Sequence, residues 1–189
     1  MDTMPNLREL VERAQCYDAE AFGQIYDHYY NKIFNFVYYK VGSKVEAEDL
    51  TEQVFLKALE NIAGFEWRGV PFSSWLFRIA SNLVVDFYRA RKYEIVDIED
   101  HINIQVDDVW GPEQSALREL ERNEIVDAIK MLTEEQQQVI TLRFIGGLSN
   151  EEVAQAINKS VNAVKALQHR AIGTLSKFLG GVRDGCGHR

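Results

Sequence analysis

Two cysteines, Cys16 and Cys186, stand far apart in this chain of 189 residues. They build no disulfide framework, so the expected setting is a reducing cytoplasm. No apolar run reaches the length of about 18 residues that a membrane span needs. The opening MDTMPNLREL lacks the basic and apolar segments of a signal peptide, so neither export nor membrane insertion is expected. There is no Gly-rich phosphate loop, no HExxH and no nucleophile motif, which leaves no ground for an enzyme or a bound cofactor. His28, His101 and His169 are scattered and form no ligand series. Cys186 and His188 in the tail are two ligands at most, too few for a zinc site.

What is present is a chain that is 46% hydrophobic, enough for real cores. The net charge of −8 argues against nucleic acid, but its distribution does not. Residues 93–124 hold ten acids and two bases, which accounts for the whole net charge. Residues 139–189 hold seven Lys/Arg against three acids, so a cationic face can exist on an acidic protein.

Helical signals dominate. Asn6 is a candidate cap for a first short helix over 6–15. Asp18 caps a second, which carries Phe22, Ile25, Tyr26, Tyr29, Ile33, Phe36 and Val37 at helical spacing and stops at Gly42. Ser43 and Glu46 make a capping box for a third. Its apolar face holds Leu50, Val54, Phe55, Ala58, Leu59 and Ile62, and its opposite face holds Glu48, Asp49, Glu52, Gln53 and Lys57. After Gly64 comes an aromatic loop expected to expose Phe65, Trp67 and Arg68. Pro71 then opens a helix from Phe72 to about Lys92. Trp75, Leu76, Ile79, Leu83, Val84 and Phe87 form its inner stripe, and Arg78, Asn82, Asp86 and Arg89 lie elsewhere on it. Arg89, Arg91 and Lys92 crowd its C-terminus, where cations offset the helix dipole.

Residues 93–111 lose this periodicity and read as an extended acidic linker and domain boundary. Gly111-Pro112 opens a further helix to about 131. Two capping boxes follow, Thr133 with Gln136 and Ser149 with Glu152. Asn158-Lys159 makes a tight turn, and Ser160 caps a last helix to about Leu179. Val139, Leu142, Val153, Ala154, Ile157, Val161, Val164, Leu167, Ala171 and Leu175 form the expected core. Two short helices joined by a tight turn are the pattern of a helix-turn-helix, whose second helix enters the DNA major groove. Asn162, Lys165 and Ala166 lie near the start of that helix, with Gln168, His169 and Arg170 further along. The expected fold is all-α: two small helical domains, 1–92 and 112–180, joined by the acidic linker 93–111 and followed by a flexible tail, 181–189.

The order of these features resembles a bacterial RNA polymerase sigma factor of the sigma-70 family, in its extracytoplasmic-function (ECF) group. The stretches that carry the resemblance are AEDLTEQVFLKALENI (47–62), GVPFSSWLFRIASNLVVDFYRARK (69–92), LTEEQQQVITLRFIGGLSNEEVA (132–154) and AVKALQHRA (163–171). The resemblance implies that Glu48, Asp49, Glu52 and Gln53 dock on the β′ clamp helices of core RNA polymerase. It implies that Phe65, Trp67, Arg68, Arg78, Asn82, Asp86 and Arg89 serve the −10 promoter element, where a flipped base stacks on Phe65 or on Trp67. For Asp86 a local salt bridge is an equal alternative. Ser160, Asn162, Lys165, Ala166, His169 and Arg170 would serve the −35 element, with the β flap as a second polymerase contact. The linker would thread into the polymerase or act as a plain soluble tether. Control by an anti-sigma factor is also implied. The family more often has a Ser-Arg pair where Ala166 and Leu167 stand, so its −35 sequence does not carry over. The competing reading is a stand-alone repressor or activator that uses only the C-terminal helix-turn-helix.

Overall fold

The computed structural model describes residues 6–67, 69–94 and 122–185. Arg68, most of the linker, the start of the helix expected from 112, and the Cys186/His188 pair lie outside the described residues. The elements are α1 (Leu7–Gln15), α2 (Ala19–Val41), α3 (Lys44–Asn61) with a short 3₁₀ turn (Ile62–Gly64), and α4 (Phe72–Glu94). A helix α5 over 122–130 follows, then α6 (Glu134–Ile140), a π turn (Thr141–Ile145), α7 (Asn150–Ala156) and α8 (Val161–Gly185). No strand occurs among the described residues.

The caps explain most boundaries. The Asp18 carboxylate accepts from the N–H groups of Glu20 and Ala21. Thr133 with Gln136 and Ser149 with Glu152 form full reciprocal boxes. The Pro71 carbonyl accepts the first helical bond of α4, from Trp75 N–H at 3.2 Å. Two expected caps are corrected. Asn6 stands at the start of α1 in a left-handed conformation, φ 73°, and its side chain makes no cap bond. Ser43 accepts from Glu46 N–H, but Glu46 does not complete the box, because its carboxylate pairs with Arg91.

Two ends also differ. α4 runs to Glu94, two residues into the stretch read as linker. α8 continues through Gly180 and Gly181 to Gly185. Glycine costs a helix about 1 kcal/mol per residue relative to alanine but does not forbid it.

α1–α4 pack around Ile25, Tyr29, Ile33, Phe36, Val54, Phe72, Leu76 and Phe77, all fully buried. That core does not stop at the domain boundary. Val139, Leu142, Leu148, Val153, Val164 and Leu167 belong to the same contiguous cluster. A smaller cluster of Leu132, Ile140 and Ala171, with Leu175 against it, ties α6 to α8. The π turn lies against the end of α2, and α7 lies on α4. Gly146 N–H donates to Thr141 carbonyl at 2.8 Å and closes the wide turn. A Cβ at Gly146 would come within 2.9 Å of the Phe77 ring and 2.8 Å of the Leu142 carbonyl, so only glycine lets the π turn seat there.

Candidate nucleic-acid interface

The aromatic loop is anchored from below. Gln15 donates through Nε2 to the carbonyls of Ile62, at 3.1 Å, and Phe65, at 2.6 Å. The expectation that the loop exposes Phe65 is corrected. Its ring is 6% exposed, edge-on to Trp67 and Phe72 at centroid distances of 5.1 and 5.3 Å and tilted against Trp75 at 5.2 Å. Such pairs hold one another through their ring quadrupoles. Trp67 is half-buried, with the Arg8 guanidinium 6.0 Å from its ring centroid. Its indole N–H is buried with no partner among the described residues.

On α4, Arg78, Asn82, Asp86 and Arg89 are all exposed. The local pairing considered for Asp86 is present, with Arg89 Nη1 3.6 Å from Asp86 Oδ1. Arg78 is engaged already, donating to the Gln155 carbonyl of α7. Arg91 belongs to the fold, paired with Glu46 at 3.0 Å and lying over the Phe87 ring at 5.4 Å. The inner stripe is partly corrected. Trp75, Ile79 and Phe87 are only half-buried, while Ser73, Ser74, Phe77 and Ala80 are buried. The reason is that α7 covers a second side of α4.

The helix-turn-helix takes the expected form. Asn158 occupies the left-handed conformation of the turn, φ 54°, and Lys159 N–H donates to the Ala154 carbonyl at 2.9 Å. Ser160 caps α8 by accepting from Ala163 N–H at 3.2 Å. Val164, Leu167 and Ala171 are buried, which fits the reading of Leu167 as core. Asn162, Lys165, Ala166, His169 and Arg170 are exposed, and Gln168 is half-buried. Lys159 reaches Glu135 at 2.7 Å. The hydrogen bond and charge of Lys159, with Arg170 adding to them, hold the Glu135 carboxyl below its ordinary range. Glu135 therefore tempers the cationic side of this domain.

On α3, Asp49, Glu52 and Gln53 are exposed and Glu48 is half-buried beside Lys44, at 4.0 Å. Leu59 is corrected from core to surface at 41% exposed, and Leu56 stands out further at 58%. Helical spacing cannot separate an apolar face that packs from one left open, so the sequence did not mark this patch. The sequence also gave no sign of Ser73, Ser74, Gly146, Glu152 and Gln155 as residues that join the two domains. Among the described residues no cluster of three or more His, Cys, Asp or Glu could hold a metal. No described helix is long and apolar enough to cross a membrane.

Two helical domains, one ending in a helix-turn-helix with a polar outer face, define a DNA-binding protein class. Comparison with known proteins sharpens this. Residues 25–93 match the sigma-70 region 2 model, and residues 122–175 match the sigma-70 region 4 model. The chain is 40% identical over 174 residues to the ECF RNA polymerase sigma factor BldN of Streptomyces coelicolor, covering 92% of this chain and 66% of BldN. It is 31% identical to the ECF sigma factor SigX and 32% to SigW, both of Bacillus subtilis, covering 87% and 96% of their lengths. The solved structure of CnrH in complex with the cytosolic domain of CnrY shares the fold, at a TM-score of 0.74 and 24% identity over 94% of this chain. The chain belongs to the sigma-70 family, in the ECF group of RNA polymerase sigma factors. As a family these are transcription-initiation factors.

Proposed function

We propose that this chain binds core RNA polymerase in the cytoplasm, directs it to promoters and performs no chemistry of its own. The supporting observation is the division of α8. Val164, Leu167 and Ala171 are buried, and Asn162, Lys165, Ala166, His169 and Arg170 stand out from the second helix of a helix-turn-helix. Lys and Arg grip phosphate or guanine, and Asn pairs with adenine. These residues, with Ser160 at the helix start, serve the −35 duplex. Arg78, Asn82, Asp86 and Arg89, with Arg68 of the loop, serve the −10 element. Trp67 is the base-stacking ring, because Phe65 is already enclosed on several sides. Flipping a base costs a few kcal/mol, which stacking and edge contacts offset.

Glu48, Asp49, Glu52 and Gln53 dock on the β′ clamp helices. Leu56 and Leu59 supply the apolar centre that a helix-in-groove contact needs. The second domain meets the β flap, and an anti-sigma factor competes for these faces. The test is core-polymerase binding by the full chain carrying Leu56→Asp. A loss of about tenfold or more, with helix content and Tm kept, is expected, since hot-spot truncations cost about 2 kcal/mol. Unchanged affinity contradicts clamp docking through α3.

A further inference from the structure

We infer that α1 is the platform of the aromatic loop, and that Gln15 and Arg8 are positioning residues for promoter opening, holding Trp67 where an unpaired base meets it. The opening role rests on the reading of Trp67 above; the platform itself does not.

The platform is fixed before the loop is added. Leu10, Val11 and Ala14 of α1 are buried in the larger core. Arg13, in the last turn of α1, donates through Nε to Asp18 Oδ2 at 2.8 Å, and Asp18 in turn caps α2. The end of α1 is thereby tied to the start of α2, and Gln15 stands on a held backbone between them. An amide nitrogen can donate twice, and Gln15 Nε2 does so, to the carbonyls of Ile62 and Phe65. The Ile62 carbonyl also accepts from Phe65 N–H at 3.0 Å. One side chain thus pins both ends of the turn that leads into the loop.

The position of Phe65 passes to Trp67. Phe65, Glu66 and Trp67 lie in no regular element, so the pose of the indole comes from its contacts. Its ring stands at 77° to that of Phe65, with centroids 5.1 Å apart. Arg8 lies two turns before Gln15, on the same face of α1. Its guanidinium is 6.0 Å from the Trp67 ring centroid, within reach of a cation–π contact. Glu12, one turn on, holds Arg8 by accepting from its Nε at 3.1 Å. One face of α1 therefore meets the loop twice, at its backbone through Gln15 and at its indole through Arg8.

A ring that captures a flipped base offsets the cost of unstacking only if it already stands in place. A loose ring must first be ordered, and that ordering is taken from the gain of stacking. The residues that match sigma-70 region 2 begin at Ile25, so this support comes from outside the matched segment.

The experiment has two arms, both on the full chain. Gln15→Met keeps a long, helix-compatible side chain and removes the donor. Hydrogen exchange read by mass spectrometry is expected to show the amides of 62–67 exchanging about tenfold faster in this variant, with those of α4 unchanged. Loop exchange at the wild-type rate overturns the platform. The second arm uses holoenzyme on a promoter fragment that the wild type transcribes, with opening followed by permanganate reactivity of unpaired thymines. Gln15→Met is expected to slow opening about tenfold and Arg8→Ala about threefold, with affinity for core polymerase and for duplex promoter kept. Arg8 is exposed, so Arg8→Ala still decides if Gln15→Met loses helix. Core and duplex binding that fall in step with opening overturn the positioning role. Trp67→Ala separates the two readings. If it opens promoters slowly while both α1 variants open them like the wild type, the positioning role is overturned. If it opens them as fast as the wild type, the −10 reading of Trp67 falls and the opening role with it, while the exchange result still decides the platform.

Discussion

Arg91 Nη1 of α4 lies 3.0 Å from Glu46 Oε1 at the start of α3, with both side chains about a quarter exposed. This pair ties the end of the proposed −10 helix to the start of the proposed clamp helix. It also explains why Glu46 leaves the cap of α3 half made. Arg91→Ala should lower stability by about 1 kcal/mol, the upper range for a partly exposed pair. Arg89→Ala, whose pair with Asp86 is well exposed, should change stability little. Denaturant unfolding of the two variants checks this, and equal losses would contradict the structural role given to Arg91.

Lys40 gives a pH dependence. Burial lowers its ammonium pKa from 10.5 to about 8, with Glu134 opposing the shift. Its folded pKa lies below its unfolded one, so the unfolded chain binds more protons between about 8 and 10.5. The cost of burying the charge is therefore fully present below about pH 8 and is relieved as pH rises through that window. It amounts to about 3 kcal/mol at most. Tyr88, Tyr26 and Tyr30, whose phenols burial pushes up, act in the opposite sense above pH 10. Between pH 8 and 10, Lys40→Met should flatten the rise in stability and raise Tm at pH 7. A variant whose pH profile matches the wild type would show that Lys40 is not buried in solution.

The two loop aromatics should separate by assay. Phe65→Ala removes the centre of the ring cluster and should cost about 3 kcal/mol or more in stability. Trp67→Ala should cost less and should slow promoter opening by the holoenzyme without weakening duplex binding by the helix-turn-helix. Equal loss in both DNA assays would count against base capture by Trp67.

Local chemistry was legible in the sequence, and long-range packing was not. Asp18, Thr133–Gln136, Ser149–Glu152, Asn158 and Ser160 announce their helix ends because a cap or a turn needs only neighbouring residues. Glu46 misleads for the converse reason: its partner, Arg91, is 45 positions away. Leu59 looks like core because periodicity reports an apolar face without naming what covers it. Ser73 and Ser74 are small residues with no local signature, and Gly146 by itself signals no more than a helix end. Their role appears only when α7 and the π turn are set against α4. Among the proposed site residues, the exposed positions of α8 follow directly from helical spacing. The state of Phe65 depends on Gln15, Phe72 and Trp75 closing around it.

Run-off transcription with core RNA polymerase tests the central claim most directly. A pool of promoter fragments is transcribed with and without the full chain. Defined transcripts that appear only with the chain, and that fall sharply with Asn82→Ala or Lys165→Ala, are the predicted result. No chain-dependent transcript from any fragment, together with no binding of the chain to core polymerase, would contradict it.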